Sequence, residues 1–125
     1  MDRSGLATLA RRVLTGDGVT VGELSLSFVS SGEMQELHQR FMGESGPTDV
    51  LAFPMGEDGL LGDVVVCPAE ARRNNQDLAT ELRLLVVHGV LHLLGHDHEE
   101  PEARSEMWSK QERYSGVRVQ EEAPG

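Results

Sequence analysis

The sequence predicts an α+β fold: one domain over residues 1–125, built as a small mixed β-sheet with helices packed on it. Three observations lead there. Hydrophobic periodicity switches along the chain between helical and strand spacing, in the order α, β, α, β, β, α, α, α. A length of 125 residues is enough for one real core. Hydrophobic residues make up 38% and charged residues 26%, a globular balance.

Each element has its own signal. Ser4 to Leu14 carries Leu6, Leu9, Ala10, Val13 and Leu14 at helical spacing, and Thr15-Gly16-Asp17-Gly18 ends it. Val19 to Val29 alternates, with a phase shift at Gly22-Glu23 that predicts a turn or bulge between two strand pieces. Ser30 and Glu33 stand at capping-box spacing and open a helix to about Met42 that buries Met34, Leu37 and Phe41. Gly43 to Pro47 is a loop. Asp49 to Phe53 is a short strand closed by Pro54, and Leu60 to Cys67 is its hairpin partner across a polar turn. Pro68 opens a short helix ending near Asn74-Asn75. Asp77 caps a long helix whose stretch from Leu82 to Leu94 is nearly all apolar. Pro101 starts the last helix, to about Tyr114, with acids early and Lys110 and Arg113 late, as the helix dipole favours. Residues 117–125 read as a frayed polar tail.

Composition narrows the function classes. No apolar run reaches the length of a membrane span. The start, Met1-Asp2-Arg3-Ser4-Gly5-Leu6, lacks the basic-then-apolar layout of a signal peptide. The single cysteine, Cys67, excludes an internal disulfide framework and fits a reducing cytoplasm; in its strand it reads as a small buried hydrophobe. The net charge of −10 argues against non-specific, electrostatically driven nucleic-acid binding, though not against a local basic cleft. The cations are ten Arg and one Lys. Arg11-Arg12 and Arg72-Arg73 are the adjacent pairs.

The chemistry concentrates in His88-Gly89-Val90-Leu91-His92-Leu93-Leu94-Gly95-His96-Asp97-His98, which holds four of the five histidines. His88 and His92 are i and i+4, on one face of the long helix. Gly95 stands where a helix ends in a left-handed turn, and that turn can bring His98 back to a third position. A metal site at the end of the long buried helix follows. The spacing matches the zinc-protease pattern H-E-x-x-H-x-x-G-x-x-H at all three His and the Gly, with Gly89 where the general-base Glu would stand. Three imidazoles leave an open position for water, the arrangement of catalytic sites. The plainer alternative is a histidine-rich helix end that caps carbonyls and faces solvent. His96 reads as a fourth ligand, as a donor supporting a ligand, or as an exposed turn residue, the last two being favoured. Asp97 reads either as the partner that orients a ligand His or as a turn residue.

Three blocks of the chain resemble one family, in that family's order. Pro47-Thr48-Asp49-Val50-Leu51-Ala52-Phe53-Pro54 is similar to its P-T-D-V-L-S-F-P. Leu61-Gly62-Asp63-Val64-Val65-Val66-Cys67 is similar to its L-G-D-[LIV]-x-[LIV]-[CS]. The stretch from His88 to His98 is similar to its H-G-x-L-H-L-x-G-[YH]-D-H. The chain thus resembles the YbeY family of bacterial rRNA maturation factors, over about residues 24–114. The resemblance implies a metal-dependent, single-strand-specific endoribonuclease. It would act in the cytoplasm on the small-subunit rRNA 3′ end and in ribosome quality control. His88, His92 and His98 would bind one zinc ion per chain, and single-stranded RNA and the small ribosomal subunit or its proteins would be the partners. Many members carry an arginine five residues before the Pro of the first block; here that position is Met42. Arg40, Arg72 and Arg73 are the cations that could stand in for it. No general base is assigned; Asp97 or a second water are the candidates. Asp49 and Asp63, beside the strands, either bond loops or ligand histidines.

Two other classes stay open at this point. One is a non-catalytic assembly factor, stabilised by zinc and docking on ribosomal RNA or proteins, to which an acidic surface is suited. The other is a zinc peptidase, which Gly89 disfavours. Imidazole sites also accept nickel, copper or iron.

Overall fold

The computed structural model describes residues 2–19, 22–46, 48–57, 59–74, 77–96 and 101–116. Helix α1 spans Arg3–Gly16, strand β1 Glu23–Phe28, helix α2 Ser31–Met42, β2 Val50–Glu57 and β3 Leu60–Val66. Helices α3 (Pro68–Ala71), α4 (Leu78–Leu93) and α5 (Pro101–Ser115) follow. The predicted order and the α+β class both hold. Thr20 and Val21, most of the first predicted strand piece, lie outside the described residues, as does the predicted tail.

The helix starts are chemically explicit. The Asp2 carboxylate accepts from Gly5 N–H and begins α1 one residue earlier than the apolar pattern indicates. Ser30 and Glu33 form the expected capping box, and Asp77 accepts from Thr80 N–H at the start of α4.

The sheet has the order β1-β3-β2. β1 runs parallel to β3, β2 antiparallel to it, so the sheet is mixed. β1's register shifts between Glu23 and Leu24, one residue beyond the Gly22-Glu23 phase shift of the sequence. β2 corrects one expectation, because Pro54 does not close it. Pro54 pairs with Gly62, and the strand continues to Glu57. Among the described residues β2 bonds only β3, and that edge position tolerates the missing proline N–H.

Alternation along β3 divides the core. Val64 and Val66 face α1 and α4, joining Leu6, Leu9, Val13, Leu82, Val86, Val90, Leu91, Met107 and Tyr114. Val65 and Cys67 face the other way, onto Met34 of α2 and Leu51. Cys67 is fully buried, the small hydrophobe expected. Phe41 is a second correction: it is 57% exposed. The final turn of α2 lies beside the edge strand β2, where the Phe41 ring meets that of Phe53, centroids 5.3 Å apart.

One polar cluster ties three helices together. Asp17, just past α1, accepts from His96 Nε2 at 2.8 Å, Lys110 Nζ at 2.9 Å and Tyr114 O–H at 3.2 Å. Burial alone would raise the Asp17 carboxyl, but the bonds from His96 and Lys110 outweigh it and hold it below the ordinary carboxylate value. The same contact raises Lys110. Thus the exit of α4 and the C-terminal third of α5 are fixed to α1. Among the described residues, no helix is long and apolar enough to cross a membrane.

Candidate active-site cleft

α4 is buried through Leu82, Leu85, Val86, Val87, Gly89, Val90 and Leu91, and His88 and His92 emerge from it half-buried. Gly89 is what lets the helix lie so close to the sheet. A Cβ there would sit 2.6 Å from Val64 Cγ1 and 3.3 Å from Val50 Cγ2. The residue that replaces the protease Glu is therefore also a packing requirement.

The two rings meet as the i, i+4 spacing predicts. Their Nε2 atoms are 3.1 Å apart and the ring centroids 4.6 Å apart, nearly edge to face. Two imidazoles on one tetrahedral ion, at a bond length of about 2.05 Å, place their nitrogens about 3.3 Å apart. The spacing and the chemistry of this nitrogen pair fit ligation of a shared divalent ion. On its other side His88 Nδ1 lies 2.8 Å from Gln111 Oε1, from a residue 5% exposed on α5. The sequence offers Asp97 as such an orienting partner and carries no signal for Gln111, which lies 23 residues away in the chain.

α4 ends as the glycine predicts. Gly95 has φ +95°, Gly95 N–H bonds His92 O at 3.0 Å, and His96 N–H bonds Leu91 O at 3.0 Å. These are the two bonds of a Schellman turn. His96 then directs its ring to Asp17 rather than to solvent, Nε2 2.8 Å from the carboxylate. His98 and Asp97 lie outside the described residues. Among the described residues no group of three or more His, Cys, Asp or Glu is close enough to share an ion.

His88, Gly89 and His92 line a cleft of about 370 Å³ with Met42, Val50, Leu51, Ala52 and Pro54. Met42 thus occupies the cleft wall, where the resemblance places an arginine. Among the described residues lining it, none is Lys or Arg. Arg40 sits over the Phe41 ring, 5.9 Å from its centroid. Arg73 pairs with Glu70 at 3.6 Å, and Arg72 is exposed at the end of α3. The fifth histidine, His38, holds the loop that follows Met42, its Nδ1 2.8 Å from Gly46 O. The Asp49 carboxylate accepts from Asn74 Nδ2 at 3.5 Å.

The family model described as Endoribonuclease YbeY matches residues 3–116. A protein named Endoribonuclease YbeY from Parafrankia sp. is 46% identical over 129 aligned positions, covering 88% of this chain and 81% of its own. Its namesake from Thermobifida fusca is 44% identical, with the same coverage of each. Among solved structures, the solution structure of TM1509 from Thermotoga maritima superposes with a TM-score of 0.64 at 37% identity, over 90% of this chain and 77% of the other.

Proposed function

This chain belongs to the YbeY family of endoribonucleases, and we propose that it is a zinc-dependent, single-strand-specific endoribonuclease of rRNA maturation. It would act in the cytoplasm on the small-subunit rRNA 3′ end and in ribosome quality control. The observation that carries the reading is the converging Nε2 pair of His88 and His92 at the foot of an open cleft. With His98 these would hold one zinc ion per chain. A bound divalent ion supplies Lewis acidity at a phosphoryl oxygen and an activated water or ribose hydroxyl.

The chain's own residues do the rest. His88 and His92 present their ring nitrogens from a helix that packs closely on the sheet at Gly89. Gly89 leaves the cleft without the carboxylate that a peptidase of this spacing uses as base. Met42, Val50, Leu51, Ala52 and Pro54 give the cleft apolar walls, which suit the faces of unpaired bases rather than a phosphate backbone. No general base is assigned among the described side chains; Asp97 and a second water remain its candidates.

The test is cleavage of a labelled RNA, offered single-stranded and as a duplex, before and after chelation and zinc return. Cutting of the single strand only, lost on chelation and restored by zinc, is the expected result. Stoichiometric zinc with no cutting would favour a ribosome-docking assembly factor instead. In that case chelation would unfold the domain rather than silence an enzyme.

A further inference from the structure

We propose that Gln111 is the positioning residue of this site: it fixes the His88 ring in the tautomer whose Nε2 carries the lone pair, without adding negative charge. The inference rests on the metal-dependent reading above and deepens it.

A neutral imidazole carries one N–H, and the partner of one nitrogen decides the role of the other. Gln111 Oε1 can only accept, so at 2.8 Å it places the proton on His88 Nδ1. His88 Nε2, facing His92 Nε2 at 3.1 Å, is then the electron-pair donor. Gln111 is 5% exposed, so water has little room to replace it. Its own placement is secured on both sides. Lys110 and Tyr114 both bond Asp17, and Ser115 Oγ donates to the Gln111 backbone carbonyl at 2.6 Å.

The choice of amide over carboxylate has a consequence of its own. A carboxylate in the same place would make His88 more basic and would also cancel part of the ion's charge. This chain carries −10 and places no Lys or Arg among the described residues lining the cleft. The ion's full charge is then the attraction available to a phosphodiester there, and a neutral partner preserves it.

The experiment uses the full chain and two substitutions. Zinc affinity is read by competition with a chromogenic chelator. The His88 tautomer is read by ¹⁵N chemical shifts in the metal-free protein, with melting of that form as a check on folding. Gln111→Leu should weaken zinc about 10- to 100-fold and lose the Nδ1–H signature. Gln111→Glu should hold zinc at least as tightly as the wild type while raising KM for single-stranded RNA. Wild-type zinc affinity and tautomer in a folded Gln111→Leu variant would overturn the proposal, as would an unchanged KM in Gln111→Glu. A wild-type protein that takes up no zinc would instead sink the metal reading, and the ¹⁵N signature alone would then decide the role of Gln111.

Discussion

Gly89 faces the sheet where a methyl group has no room, against Val64 and Val50. Gly89→Ala should cost about 1–3 kcal/mol in chemical denaturation, as overpacking does, despite the better helix propensity of alanine. A variant as stable as wild type would mean that α4 stands farther from β3 than described. The same residue shows what a sequence can and cannot tell. That Gly89 replaces a protease Glu is legible from spacing; that it is required by packing is legible only once Val64 lies across from it. His88 and His92 were readable because i, i+4 geometry is local. Gln111 was not, since no spacing rule connects a side chain on α5 to a ring on α4.

The Asp17 cluster is what couples elements that the sequence leaves separate. Asp17 reads as a turn residue and Lys110 as a helix-dipole cation, and nothing local links either to His96 or Tyr114. In the fold one carboxylate holds the ends of α1 and α4 and the C-terminal third of α5. Asp17→Asn should therefore destabilise the domain by about 2 kcal/mol at neutral pH, the worth of lost charge-assisted bonds. Because the folded carboxyl is held low, its contribution is fully present above the ordinary Asp value near 3.8. It fades as pH falls through the lower folded value, so wild type and variant should converge in acid. Equal stability at pH 7 would remove the cluster from the account. Elsewhere local chemistry suffices: Ser30 with Glu33 and Asp77 start helices, and Gly95 ends one, where expected. Pro54 and Phe41 misled because their fate depends on lying at a sheet edge, which strand order decides and a single strand's pattern does not contain.

At the scale of the whole molecule, the fold class and element order were legible because one core divided by one sheet needs only alternation and helical periodicity. How RNA is held was not, because Met42 stands in the cleft wall and no Lys or Arg is described there. With a net charge of −10 and few phosphates neutralised, binding of single-stranded RNA should depend weakly on salt. The slope of log K against log salt should be shallower than about −2, against roughly −0.7 per phosphate contact. A steep slope would reveal a basic surface that this account lacks. Whether the histidines of α4 hold the ion on which cleavage depends is decided by one paired measurement on wild type and His92→Ala. Zinc content and cutting of a labelled single-stranded RNA are read from the same preparations. About one zinc per chain and cutting are expected in the wild type, with both lost in the variant. Cutting retained by a zinc-free His92→Ala protein would contradict it.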